Sequence, residues 1–505
     1  MKVALKIEGE INLDEKQSLK NKTISGLVWT FMERIGAQGV SFIVSLVLAR
    51  LLLPEQYGII ALVTVIINIC NVFVTSGFSS ALIQKKDVDD IDFSTVLYFG
   101  FVFSVVLYIL LFFAAPMISS FFEYEKLVDV IRVMGIGLVV ASINSVQRSM
   151  VSRRLQFRKF FVVTFVGTMI SAVVGIVMAI KGLGVWALVG QYLTNVVIDT
   201  IMLAIVNKWM PKLVFSFKRL GKLFSYGWKI LVSSIISVVF EDIRTLIIGK
   251  KYTSTDLALY NKGRQVPNLL VSNVNSSIQS VMFPVLSQKQ DDKAEVKRLM
   301  RRSIKTSAYL TMPMMFGFAA CAEIFVRIVL TDNWIECVPY IQIACVSMAL
   351  MPLQTANIQA LYALGRSDII LKIEIIKKVF SLSVIIFTCF FGVKAIALGG
   401  IVISLFALLV NVFPNRKLLG YGYREQVKDI LPFVVMSAVM GAAVIGIGFI
   451  PMNMYLMLFV QIASGVLIYV GLSAAFKVES FYYLLNIIKT NVVKVLKRPK
   501  DNSEH

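Results

Sequence analysis

Histidine is all but missing from this chain. One occurs in 505 residues, His505, and it is the last. Acid–base catalysis or metal binding built on imidazole is therefore excluded. The sequence also lacks a phosphate-cradling G-x-x-x-x-G-K-[ST] loop, a G-x-S-x-G nucleophile turn and an H-E-x-x-H zinc helix. That removes the common nucleotidase, esterase and metalloprotease chemistries. Cys70, Cys321, Cys337, Cys345 and Cys389 are scattered, mostly in apolar runs, with no C-x-x-C pair. They are expected to act as small apolar fillers. Charge is scarce as well: 16% of residues are charged, against about 25% in an ordinary soluble domain.

What fills the space is long apolar sequence. Hydrophobic residues make up 57% of the chain and the mean hydropathy is +0.77. A membrane-spanning helix needs about 20 apolar residues, and only helices or closed barrels satisfy their backbone in lipid. The expected fold is an all-α polytopic membrane protein with about 14 transmembrane helices. The runs fall at 24–52, 57–82, 93–115, 127–147, 160–181, 184–206, 224–248, 256–285, 304–330, 333–362, 369–391, 394–414, 429–450 and 452–476.

Charge sets the expected orientation. The first 22 residues are too charged for a signal peptide, so the N-terminus is expected in the cytoplasm. Most of the 51 Lys and Arg residues then fall in that tail, in alternate connections and after residue 476. This is the positive-inside asymmetry, and it places both termini in the cytoplasm. It also accounts for the net charge of +21 without nucleic acid, which is not expected as a partner. The stretch FYYLLNIIKTNVVKVLKR at 481–498 pairs an apolar face with lysines and reads as an interfacial amphipathic helix.

Several spans nonetheless carry charge. Glu33 and Arg34 sit side by side in LVWTFMERIGAQGVSFIVSLVLA, residues 27–49. They lie about 15 Å into the helix at 1.5 Å per residue. Neighbours in sequence diverge by about 100° on a helix and do not pair naturally, so each needs water or another partner. Glu241, Asp242 and Arg244 follow in FEDIRTLIIG, and Lys262 and Arg264 in LALYNKGRQVPNLL. A local Glu241–Arg244 bridge and snorkelling of Lys262 and Arg264 to the interface are the plain alternatives to a functional role.

The chain also resembles itself. GLGVWALVGQYLTNVV at 182–197 parallels FGVKAIALGGIVISLF at 391–406, and RLQFRKFFVV at 154–163 parallels RSDIILKIEI at 366–375. Trp29 to Tyr57 parallels Trp228 to Tyr260. The spacing covers six helices, so two parallel six-helix repeats related by an axis along the membrane normal are expected. The expected division is a tail at 1–22, bundles at 23–222 and 223–416, helices 13 and 14 within 417–476, and a cytoplasmic amphipathic tail at 477–505.

The block TISGLVWTFMERIGAQGVSFIVSLVLARLLLPEQYGIIAL at 23–62 resembles the polysaccharide-transport branch of the multidrug/oligosaccharidyl-lipid/polysaccharide exporter superfamily. Its most telling piece is A-R-x-L-x-P-x-x-Y-G, Ala49 to Gly58. The likeness continues through TSGFSSALIQKKDVDDIDFSTVLYFG at 75–100 and YALGRSD at 362–368. The nearest subgroup resembles the Wzx-type flippases and related proteins of teichuronic acid and exopolysaccharide synthesis. The resemblance implies a V-shaped pair of bundles around a cleft in the bacterial cytoplasmic membrane. It implies alternating access and an undecaprenyl-diphosphate-linked oligosaccharide as cargo. It also implies contact with membrane lipids and with polysaccharide polymerase and other glycan-synthesis proteins.

Under that resemblance Arg34, Arg244, Lys262 and Arg264 become candidates for holding the diphosphate, since guanidinium forks match phosphate oxygens. Two duties are open to Glu33, Glu241 and Asp242: positioning those arginines, or binding the H+ or Na+ that would drive the cycle. No other cofactor and no metal site is expected. The rivals are a drug/cation antiporter of the same superfamily, a membrane enzyme, and a non-transporting scaffold of a glycan-synthesis complex. Short outer loops argue against the enzyme.

Overall fold

The computed structural model describes residue 36 and residues 38–85, 87–154 and 156–486. Glu33, Arg34, the tail at 1–22 and most of the C-terminal amphipathic stretch lie outside them. Each of the apolar runs is mainly helical over its described residues, and no strand occurs among those residues. Eleven of the described helices are long and apolar enough to cross a membrane.

Contacts group the described residues into two compact units that divide between Ala258 and Leu259. Unit 1 holds α1 (Gln38–Leu51), α2 (Pro54–Thr75), α3 (Phe78–Gln84), α4 (Asp90–Phe122), α5 (Leu127–Arg153), α6 (Phe157–Ile180), α7 (Val185–Asn207) and α8 (Phe217–Lys251). Within unit 1, α8 packs on α2, α3 and α4. Within the unit, α4 pairs with α5, α6 with α7, and α5 with α7.

Local chemistry explains the boundaries. Pro54 occupies the first turn of α2, where a missing N–H costs nothing, and the Gln56 side chain accepts from the Leu53 amide (3.2 Å). Asp89 caps α4: its carboxylate accepts from the Asp92 amide (3.0 Å) while Asp92 accepts from the Asp89 amide (3.3 Å). This reciprocal arrangement satisfies two amides that the first turn leaves open. Arg219, near the start of α8, bonds the Asp89 carboxylate and holds it below the usual carboxylate range.

Close backbone crossings fix how the helices of unit 1 approach. A Cβ on Gly58 would lie 1.8 Å from the Ser254 carbonyl oxygen. Gly77 stands at φ +37° between α2 and α3, and a Cβ there would meet the Gly227 carbonyl at 2.8 Å. Glycine is thus required at both by space, and at Gly77 by backbone angle as well. The glycine of the Ala49–Gly58 passage exists to let another backbone through.

Unit 2 holds most of α9 (Ser254–Ser287), with α10 (Lys293–Val329), a short 3-10 helix (Asp332–Cys337), α11 (Val338–Ala349), α12 (Met351–Ala363), α13 (Ser367–Thr388), α14 (Val393–Leu419), α15 (Tyr423–Ile447) and α16 (Met454–Ala475). The run expected at 333–362 is broken between α11 and α12, with a proline in the opening turn of each. Here α13 pairs with α14, while α11 and α12 pack on both α10 and α14. The hairpin pattern of unit 1 recurs, in keeping with the internal repeat.

The last two helices dock on α10. That helix has 37 residues, about 55 Å at 1.5 Å per residue, so its basic N-terminal turns extend past a hydrocarbon core of about 30 Å. There Arg301 grips buried Asp429 of α15 with two bonds of 2.6 Å, and the Tyr421 hydroxyl donates to the same carboxylate (2.8 Å). Deeper, the Tyr469 hydroxyl of α16 donates to the Tyr309 carbonyl (3.0 Å). Beside them Asn357 and Gln426 exchange two amide bonds of 3.0 Å, fully buried.

Candidate functional site

Unit 1 contains a polar pocket of about 490 Å³, within the 300–1,000 Å³ usual for ligand sites. Four helices build its wall. Asn71 and Thr75 come from α2, Ser79 from α3, Asn144, Ser145 and Arg148 from α5, and Tyr192, Asn195 and Asp199 from α7. Asn144, Ser145 and Arg148 share one face of α5 because residues three and four apart stack on a helix. Asn195 and Asp199 do the same on α7.

Arg148 organises the pocket. Its Nε donates to Asn144 Oδ1 (2.8 Å) and one terminal nitrogen donates to Asp199 Oδ2 (2.6 Å). Asn144 in turn donates to the Thr200 hydroxyl (3.1 Å). The Asp199 side chain is 9% exposed and that of Arg148 is 41% exposed. The carboxylate lies inside the bundle and the guanidinium reaches into open space. The other terminal nitrogen, Nη1, has no protein partner among the described residues.

Gly167 on α6 makes room for the carboxylate, since a Cβ there would stand 2.6 Å from Asp199 Oδ1. That oxygen has no hydrogen-bond partner among the described residues. A buried carboxylate in an apolar bundle is costly unless paired. It is retained here beside a forked cation with free donors, in a pocket lined by amides and hydroxyls. Such a set can hold an anionic oxygen or several sugar hydroxyls.

The residues singled out from sequence are placed differently. Glu33 and Arg34 lie outside the described residues. In unit 1, Glu241 is exposed and makes no ion pair among the described residues, while Asp242 and Arg244 are partly buried on α8. In unit 2, Lys262 is buried, 7% exposed, with its ammonium 5.7 Å from the Trp334 ring centre. Arg264 folds back on its own helix, donating to the Tyr260 hydroxyl (3.1 Å). Glu323 and Arg327, four residues apart on α10, pair locally (3.0 Å).

Sequence reasoning missed Arg148 and passed over Asp199. The run ending at 147 put Arg148 in a basic connection, whereas α5 continues to Arg153. The available signal was Asn195 and Asp199 one turn apart inside a span.

Apolar helices of spanning length, broken at prolines and glycines and enclosing a polar pocket, define a multi-pass helical membrane protein. The solved structure of the lipid II flippase MurJ in an inward-closed conformation shares this fold, with a TM-score of 0.71 over 90% of this chain and 98% of that one at 15% identity. The chain belongs to the polysaccharide biosynthesis protein family, whose model matches residues 47–339. Among its relatives is the lipopolysaccharide biosynthesis protein WzxC of Escherichia coli K12, 23% identical over 85% of this chain and 89% of that protein. Another is the teichuronic acid biosynthesis protein TuaB of Bacillus subtilis 168, 22% identical over 70% of this chain and 73% of its own length. These relatives match the branch that the Ala49–Gly58 passage resembles.

Proposed function

We propose that the chain is a flippase of the bacterial cytoplasmic membrane. It carries an undecaprenyl-diphosphate-linked oligosaccharide to the outer face for cell-surface polysaccharide synthesis, by alternating access and without catalysing a reaction on it. The observation that carries this reading is the Arg148 fork, held by Asn144 and buried Asp199, with donors left over in a polar pocket. A diphosphate bearing sugars cannot cross apolar lipid bare, because desolvating unpaired ions and hydroxyls is prohibitive. The pocket supplies a charge-assisted donor and amides in place of water, while the polyprenyl tail stays in lipid.

Arg34, Arg244, Lys262 and Arg264 are retained in this proposal as further cations along the path of the head group. Glu33, Glu241 and Asp242 serve either to hold them or to bind the H+ or Na+ of a coupled cycle. A proton or Na+ gradient collapsed in cells separates those two duties. The test of transport is complementation of a flippase-deletion strain, reading surface glycan by immunoblot. Wild type restores it; Arg148→Ala at equal protein level does not. Restoration by Arg148→Ala would remove the pocket from the transport path. Efflux of organic cations without glycan export would favour an antiporter instead.

A further inference from the structure

The segment Arg366 to Lys372 leads basic residues into an apolar helix, and the transport reading makes no use of it. Together α13 and α14 enclose a groove of about 580 Å³. Its depth is Ile369, Ile373, Ile376, Leu409 and Phe413, and its rim carries Arg366, Lys372 and Lys417. The apolar wall is open: Ile376, Leu409 and Phe413 are each about half exposed (49%, 53% and 50%). Of the two helices, α14 is long and apolar enough to cross a membrane, and the exposed apolar face continues onto α13.

The three cations are not equivalent. Arg366 is neutralised by Asp368 through two bonds of 2.9 Å. Lys417 stands in the last turn of α14 with its ammonium 5.1 Å from the Phe413 ring centre. Lys372 makes no ion pair among the described residues. The groove therefore offers two uncompensated ammonium groups above an apolar floor. In unit 1, the lysine of the matching lead-in is already engaged, Lys159 donating to the Val206 carbonyl at the end of α7 (3.1 Å).

We propose that this groove is a binding site for an anionic phospholipid, of the phosphatidylglycerol kind, from the leaflet at the basic ends of α13 and α14. Its phosphate meets Lys372 and Lys417, and one acyl chain runs along Ile376 and Leu409. Basic pockets between spanning helices suit anionic lipid heads, and a zwitterionic head would leave the two positive charges unbalanced. The lipid-linked glycan is a poor occupant. The groove's one hydroxyl, on Tyr423, already donates to the Leu409 carbonyl (2.9 Å), and below the cationic rim the lining is apolar, so an oligosaccharide would find few partners. A packing helix is about 10–12 Å across and needs a longer face than this hollow offers. The bound lipid would tie α13 to α14, below the Phe380–Phe406 stack that already joins them (3.7 Å between ring centres).

The full chain, purified in detergent, can be tested by native mass spectrometry. The probes are dioleoyl-phosphatidylglycerol, dioleoyl-phosphatidylcholine, undecaprenyl diphosphate and inorganic phosphate. Wild type should retain phosphatidylglycerol over phosphatidylcholine and take up no free phosphate at this groove. Each lysine near an anionic head is worth about fivefold in affinity, so Lys372→Gln with Lys417→Gln should weaken retention about thirtyfold. Asp368→Asn releases Arg366 and should tighten it about fivefold by the same reckoning. That opposite shift keeps the test decisive should the double variant fail to fold. Lys218→Gln with Lys222→Gln, basic residues of α8, should leave retention unchanged. Equal retention of phosphatidylcholine, indifference to both the double change and Asp368→Asn, or loss of undecaprenyl diphosphate rather than phosphatidylglycerol in the double variant would overturn the assignment.

Discussion

Replacing Arg148 by alanine strands a carboxylate. Among the described residues, Asp199 Oδ1 has no hydrogen-bond partner and Oδ2 has Arg148 alone as its ion-pair partner. Breaking a fully buried pair costs about 3–5 kcal/mol. Arg148 is 41% exposed, so water replaces part of what is lost, and about 2 kcal/mol is expected. Asp199→Asn keeps an acceptor for the guanidinium and should cost about 1 kcal/mol. Once either partner is gone the other change costs little. The double variant should therefore fall about 1.5 kcal/mol short of the sum. For a cooperative unit of roughly 250 residues, 1 kcal/mol shifts Tm by about 2 °C. Thermal unfolding of the purified chain should read about 4 °C for Arg148→Ala, about 2 °C for Asp199→Asn and about 3 °C for both together. Arg148→Lys separates charge from fork. One ammonium bonded to Asn144 and Asp199 keeps a single donor and loses the planar fork that suits a phosphate, so stability should recover while glycan export stays low. Additive Tm shifts, or full export by Arg148→Lys, would refute the account of the pocket.

Gly58→Val should lower the Tm by several degrees and cut the yield of folded protein. The backbone at Ser254 cannot yield as a side chain would, and overpacking of this kind costs about 1–3 kcal/mol or more. Asp429→Ala should loosen α15 from α10 at a cost of about 2 kcal/mol, since two part-buried bonds from Arg301, itself 43% exposed, lose their acceptor; limited proteolysis after residue 420 reads it. Asp89 supplies a pH test. Its carboxylate is held low by Arg219, so its stabilising effect is complete above the ordinary carboxylate pKa of about 4. The effect fades as pH falls through the depressed value. The Tm difference between wild type and Arg219→Gln should hold steady above the ordinary carboxylate range and narrow as pH falls below it.

Apolar length and the placement of lysine and arginine made the helices legible. What they could not show was where one helix breaks in two. Ser76 and Gly77 separate α2 from α3; Thr75-Ser76-Gly77 is a turn signal, but it is short enough to pass inside an apolar run, and the Gly227 backbone that closes on Gly77 lies 150 positions away. The extent of α5 was hidden for a related reason. Arginines mark the ends of spans, so Arg148 looked like the start of a connection when the helix ran on to Arg153. Asp199 was visible but mute, since its meaning depends on Arg148, 51 positions away. The polar contacts of α15 and α16 on α10 were equally out of reach, because Arg301 and Asp429 are 128 positions apart.

The Gly58 crossing bears on how such chains are recognised. The passage from Ala49 to Gly58 is the most telling signature in the sequence, yet its proline starts a helix and its glycine clears a path for a carbonyl. It reports how the scaffold is plaited and is silent about freight. Two proteins could share it to the letter and ship different sugars, so cargo should be sought in side chains such as Asn144, Arg148 and Asn195, which are free to vary beneath an unchanged signature.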